Sequence, residues 1–273
     1  MCRWLAYSGA PIHLEEAIFR PEHSLIDQSL NARQGETTTN GDGFGIGWYG
    51  NRDFPGVYRD IQPAWNDANL QALAAQIESR LFFAHIRAAT GTAVQRTNCH
   101  PFRHGCWLFV HNGSIGGFDK IKRDLVLAVA PELYNEIRGT TDSEIMFFLA
   151  LTFGMADDVL RGVARMVGFV EATGTKHGIE HPMQMALGIS DGGRLYGFRY
   201  STEGRSRTLF HSADIEAVRE IVPGARRFSA DARAVVSEPL TDMSDVWIAV
   251  PESSWLTVEK GEIRIEEFVP QMP

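Results

Sequence analysis

Cysteine is scarce in this chain, with three in 273 residues. An odd handful in a long sequence builds no disulfide framework and points to a reducing compartment, the cytosol. Basic charge is also short. Against 34 acidic residues stand 26 basic ones, a formal net charge of -8, which disfavours binding to nucleic-acid phosphates. The longest apolar run, Ile145 to Ala156, has about half the length a bilayer requires. It reads as a buried helix, and no membrane association is expected. The opening residues Met1 to Tyr7 carry no targeting pattern. Repeats, low-complexity linkers and charge runs are missing too, so one domain over residues 1–273 is expected.

The common cofactor and nucleophile motifs are absent as well. No phosphate loop, GxSxG elbow, HExxH or CxxC occurs. The run Gly41-Asp42-Gly43-Phe44-Gly45-Ile46-Gly47 invites a dinucleotide reading, but a third glycine would fall at Ile46 or Trp48. It suits a tight strand entry with close backbone approach on one side. The approaching group would be another chain segment or a small substrate.

What is present is ordinary globular composition, 44% hydrophobic and 22% charged. Strands are expected at Arg3–Tyr7, Gly43–Tyr49, Val57–Arg59, Leu81–Arg87 and Cys106–His111, the last running into an Asn112-Gly113 turn. Helical spacing covers Asp67–Ser79, Asp119–Ile137 with a break at Pro131, Asp142–Phe153 and Asp157–Ala172. The last hundred residues return to strands, from Gln184–Ser190 to Ile263–Phe268. Strands, then helices, then strands predict an α+β fold of stacked sheets and helices.

Four features converge on one chemistry. Removal of Met1 before the small Cys2 would expose a residue carrying both a thiol and an α-amine, a nucleophile and a base near neutral pH. Asn112 and Gly113 offer a side-chain and a backbone N–H for one oxyanion. Arg87 ends an apolar strand, where a carboxylate partner is needed. Asp142 stands at a helix start, able to receive an ammonium. Taken alone each has a structural explanation: a small apolar residue, a hairpin turn, an internal salt bridge, a helix cap. Together they describe a pocket for an α-amino acid whose far end is an amide, the shape of glutamine or a γ-glutamyl compound.

With Met1-Cys2-Arg3, the 40–48 glycine run, His85-Ile86-Arg87-Ala88-Ala89-Thr90, Asn98-Cys99-His100-Pro101-Phe102, His111-Asn112-Gly113, Thr141-Asp142-Ser143-Glu144 and Ser237-Glu238-Pro239 in order, the chain resembles the class II glutamine amidotransferases. These are N-terminal nucleophile hydrolases, and the chain is most similar to their stand-alone, YafJ-type branch. The resemblance implies a four-layer α-β-β-α sandwich of two antiparallel sheets. It implies Cys2 as nucleophile, Asn112 and Gly113 as oxyanion hole, Arg87 as carboxylate clamp, Asp142 as ammonium partner and Thr90 as support near the substrate. No cofactor or metal is implied. Ala88 and Gly91 stand where fused amidotransferases carry Trp and His, and Asn40 where they carry Arg, as in the stand-alone branch. The length leaves no room for a synthase, so ammonia would pass to an accepting partner protein, or a γ-glutamyl bond would simply be hydrolysed, as in related members acting on γ-glutamyl thiol peptides. A homodimer is compatible with this fold.

Two other readings compete. Cys99, His100, His104, Cys106 and His111 lie close in sequence and could bind zinc, although their spacing fits no common pattern and alternate strand residues face opposite ways. His100 and His111 are instead expected to brace the pocket walls by hydrogen bonds, with His104 in a surface loop. The other reading is a non-catalytic γ-glutamyl-binding domain, against which the intact Cys2, Asn112 and Gly113 argue.

Overall fold

The computed structural model describes residues 2–34, 39–89, 91–216, 218 and 227–273. In chain order the first elements are β1 (Arg3–His13), α1 (Glu15–Ile18), α2 (Leu25–Leu30), β2 (Phe44–Trp48), β3 (Gly56–Asp60), α3 (Ala68–Ala74) and β4 (Glu78–Ile86). The middle holds β5 (Phe102–His104), β6 (Trp107–Ile115), α4 (Phe118–Leu127), α5 (Pro131–Tyr134), α6 (Asp142–Thr152) and α7 (Val159–Lys176). Then follow β7 (Met183–Ser190), β8 (Leu195–Ser201), β9 (Phe210–Ser212), β10 (Arg233–Val236), β11 (Trp247–Ala249), β12 (Ser254–Glu259) and β13 (Glu262–Glu267).

The strands form two sheets, in the orders β11-β9-β10-β1-β4-β2-β3 and β13-β12-β8-β7-β6-β5. Every pairing described is antiparallel. Alternation along each strand sorts side chains into layers. Trp4 and Ala6 of β1, Leu81 and Phe83 of β4, and Leu108 and Val110 of β6 meet between the sheets. Leu5, Tyr7, Phe82 and Ile86 face outward onto α1, α2 and α3, while Phe109 and Leu187 face α4, α6 and α7. The result is the α-β-β-α sandwich. The Trp4 indole ties the two sheets by donating to the Ala186 carbonyl at 3.2 Å.

Several elements differ from the sequence expectation. The third helix is shorter than Asp67–Ser79, because Glu78 and Ser79 are drawn into β4 opposite His13 and Ile12. Asp67 caps it by accepting the Leu70 amide. The 119–137 stretch splits into α4 and α5, with Pro131 opening the second helix, where its missing N–H is harmless. Asn112-Gly113 is no turn. Strand β6 runs through it, pairing Asn112 with Ala186 and Gly113 with Met185. A Cβ at Gly113 would lie 2.0 Å from the Gln184 carbonyl oxygen, so glycine is needed for close approach between strands, not for a hairpin. Helices α1 and α2 and strand β5 carry too few periodic positions to stand out in the sequence.

The glycine run becomes β2, and the close approach is to the chain itself. A Cβ at Gly45 would stand 2.0 Å from the His100 carbonyl oxygen, and one at Gly47 would stand 2.7 Å from Pro101 Cγ. The 100–101 segment therefore lies flat on β2 and fills the space a substrate wall would have offered.

Candidate active site

The site grows from the ends of three strands. In the β1–β4 register Arg3 faces Ile86, so Cys2 and Arg87 stand side by side one residue farther out. Both border a cleft of about 370 Å³ whose walls also include Gly113, Asp142, His111 and Phe118. Sheet one thus supplies the thiol and the guanidinium, and sheet two with α6 supplies the opposite wall.

Cys2 is half-buried, and its Sγ donates toward the Ala88 carbonyl at 3.7 Å. Burial pushes its thiol pKa up, the Asp142 charge adds to this, and Arg87 opposes it. A thiol so raised is protonated at neutral pH and needs a base nearby before it can attack.

Arg87 is buried, at 3% exposure. Its Nη2 donates to Thr92 Oγ1 at 2.7 Å and the Ala93 carbonyl at 3.2 Å, and its Nη1 to the Asp42 carbonyl at 3.3 Å. Among the described residues no carboxylate lies within ion-pair distance of it, so the internal salt bridge considered above is not formed. The guanidinium is held by neutral acceptors, with no counter-charge paired to it among the described residues.

Asp142 opens α6, but Thr141 is the cap, accepting the Glu144 amide. This frees the Asp142 carboxylate to face the cleft, where one oxygen accepts the Ile115 amide at 2.8 Å and the other the Ser143 amide at 2.8 Å. Asn112, buried at 2% exposure, shares the inward parity of Leu108 and Val110 on β6. Gly113, the next residue, lines the cleft, whereas Asn112 is not among the lining residues. Thr90 lies outside the described residues.

Sequence reasoning gave no role to two organising residues. The Asp42 carboxylate accepts the Ala89 amide at 2.8 Å, and the Asp42 amide donates to the Arg87 carbonyl at 3.0 Å, shaping the backbone around the guanidinium. Buried Asn98 donates to the Ala93 carbonyl at 2.9 Å and accepts the Thr140 amide at 2.8 Å. It joins the loop that wraps Arg87 to the one that enters α6. Their signal in the sequence was membership of the 40–48 glycine run and of the Asn98-Cys99-His100-Pro101-Phe102 motif.

The histidines divide. His111 braces the wall as expected, its Nδ1 at 2.8 Å from Ser143 Oγ. His100 does not. Its buried ring nitrogens have no hydrogen-bond partner among the described residues, and the ring packs against His85 with centroids 4.1 Å apart and planes tilted by 30°. Burial pushes the pKa of His85 down to about 3, and those of His100 and His111 down as well. His104 belongs to β5 rather than a loop, and meets Glu136 at 2.8 Å. The Cys99 thiol points to the carbonyls of Asp60 and Gln95. Among the described residues no three of the metal-binding side chains gather around one point.

Comparison with known proteins agrees with this layout. The family described as glutamine amidotransferases class-II matches residues 21–272, which takes in Arg87, Asn112, Gly113 and Asp142 and starts beyond Cys2. A probable glutamine amidotransferase of Saccharomyces cerevisiae, DUG3, is 33% identical, covering 98% of this chain and 85% of its own. The gamma-glutamyl-hercynylcysteine sulfoxide hydrolase of Mycolicibacterium smegmatis is 32% identical over 62% of this chain and 69% of its own. Among solved structures, a glutamine aminotransferase class-II domain protein from Silicibacter pomeroyi superposes with a TM-score of 0.74 at 32% identity, covering 98% of this chain and 100% of that one. With a family match across most of its length and a relative aligned nearly end to end, the chain belongs to the class II glutamine amidotransferases.

Proposed function

We propose that this protein cleaves the γ-amide of glutamine or of a γ-glutamyl amine, with Cys2, freed of Met1, as nucleophile. The observation that carries the reading is the meeting of Cys2, a buried Arg87 held by neutral acceptors and the Asp142 carboxylate around one cleft. Arg87 takes the substrate carboxylate in a bidentate pair, and Asp142 takes its ammonium. The scissile amide then faces the thiol.

The Cys2 α-amine takes the thiol proton as sulfur bonds the carbonyl carbon of the γ-amide, and the oxyanion is held by the Asn112 side chain and the Gly113 amide. The C–N bond breaks, and the leaving nitrogen takes the proton. Water then adds to the thioester, giving its proton to the same amine. The thiol is regenerated and glutamate leaves. The raised thiol pKa supports the need for that amine.

A leaving group larger than ammonia is favoured by one relative, named a gamma-glutamyl-hercynylcysteine sulfoxide hydrolase. Transfer of ammonia to a partner protein is the other outcome of the same chemistry. Thr90, next to the Arg87 loop in sequence, is assigned to substrate support. Residues 1–273 act as one glutaminase-type domain in the cytosol, in keeping with the three free cysteines and with no described helix long and apolar enough to cross a membrane. A homodimer accords with this fold class.

The test joins intact mass to activity. A chain lighter by one methionine should release glutamate from glutamine or a γ-glutamyl peptide. Cys2→Ala should abolish release and Cys99→Ala should leave it unchanged. Undiminished activity in Cys2→Ala would overturn the reading.

A further inference from the structure

Behind the nucleophile, on the outward face of β1, lies a buried charge cluster that the reaction as written does not use. Arg3 and Glu238 are each 1% exposed, with Nε donating to Oε2 at 2.6 Å. The same carboxylate accepts the His23 Nε2 proton at 2.6 Å and the Arg33 and Gln34 amides at 2.8 and 2.9 Å. Burial works against ionisation of Glu238, but His23, the two amides and Arg3 outweigh it and hold the carboxyl below its ordinary range. On its other side the Arg3 guanidinium donates through Nη1 to the Cys2 carbonyl at 2.9 Å. The neighbouring Ser237 exchanges hydrogen bonds with the backbone of Trp4.

A buried ion pair is a poor source of stability, since desolvation offsets the attraction. Its location is more telling. Cys2 precedes the first paired residue of β1. Once Met1 is removed, no preceding peptide restrains it, and its carbonyl becomes the backbone handle by which the amine and thiol are oriented.

We propose that Arg3 and Glu238 are positioning residues for the nucleophile: Arg3 clamps the Cys2 carbonyl, and Glu238 locks that guanidinium to the Arg33–Gln34 segment. This rests on Cys2 being the nucleophile. Misplacing reacting groups by about 1 Å costs roughly a hundredfold in rate, so the signature is a loss in kcat with KM kept.

The experiment measures kcat, KM and melting temperature for full-length Arg3→Lys and the paired variant Arg3→Met with Glu238→Gln, after mass confirms Met1 removal. The paired variant removes both charges while keeping the shape of residue 238. The expected result is a kcat lower by about 10- to 100-fold in folded protein, with KM within about twofold. A kcat within twofold of wild type, or a raised KM with kcat kept, would overturn the proposal. Should the paired variant fail to fold, Arg3→Lys decides by the same criteria. Cys2→Ala separates the two levels. If it stays active, the nucleophile assignment falls. If it is dead while the Arg3 variants turn over normally, only the positioning role falls.

Discussion

Two clefts among the described residues are similar in size and opposite in character. The one at Cys2 measures about 370 Å³ and the second, between α1 and strands β9 to β11, about 310 Å³. The second is lined by Tyr7, Ala17, Met243 and Trp247, and its arginines have carboxylate partners: Arg227 pairs with Glu16 of the same lining, and Arg20 and Arg233 pair with Glu15 and Asp214 beside it, the last two at 2.9 Å. The first holds a buried guanidinium with only neutral acceptors and a carboxylate facing it. Volume does not separate them. Electrostatic incompleteness does, because a desolvated charge without a counter-charge is stabilised when a ligand supplies one.

Four substitutions and a pH series test that contrast. Asn112→Ala should lower kcat by about two to three powers of ten, the loss typical of one oxyanion donor; steady-state glutamate release measures it, and a wild-type rate would remove Asn112 from the oxyanion hole. Arg87→Ala should lower kcat/KM by about a hundredfold, as expected for a charge-assisted contact of up to about 3 kcal/mol, chiefly through KM. An unchanged KM would mean that Arg87 serves only its own loop. Gly45→Ala pushes a Cβ onto the His100 carbonyl and should destabilise by about 3 kcal/mol, the upper end for overpacking, seen as a drop in denaturant midpoint.

The buried histidines set the acid limit. Their folded pKa values lie below the ordinary 6.5, with His85 at about 3. The unfolded chain therefore binds protons that the folded one refuses. Stability is full above about pH 6.5 and falls as pH drops, by about 1.4 kcal/mol per pH unit for each histidine until its folded pKa is reached. Unfolding curves between pH 7 and 4 check this, and a flat profile would refute it. The smallest effect belongs to the second cleft. Met243→Ser, at a side chain 41% exposed, should leave kcat/KM within about twofold, because surface changes away from the chemistry rarely matter. A large loss would erase the contrast between the clefts.

Much of this was legible in the sequence. Helix α6 announced itself by its apolar run and the acid at its start, and the glycines of β2 correctly signalled a close approach. Other features were hidden because they depend on partners remote in sequence. Asn112-Gly113 has the local chemistry of a turn, yet β7 pairs with it and holds it extended. Asn98 gains its meaning from Thr140, 42 residues away, and Arg3 from Glu238, 235 residues away. His100 looked like a bracing hydrogen-bond group and proved to be a ring packed between the rings of His85 and Phe102.

The sequence by itself determined the inventory: a thiol at residue 2, a guanidinium closing an apolar strand, an Asn-Gly pair, an acid at a helix start, and alternation that makes two-faced strands. Each of these follows from side-chain chemistry and short-range periodicity, which need no neighbours to be read. Only the tertiary structure decided that Arg87 is held by neutral acceptors with no paired carboxylate among the described residues, that Thr141 rather than Asp142 caps α6, and that a buried Glu238 reaches the Cys2 carbonyl through Arg3. Those outcomes rest on strand register and layer packing, where groups far apart in the chain compete for the same few donors and acceptors away from water.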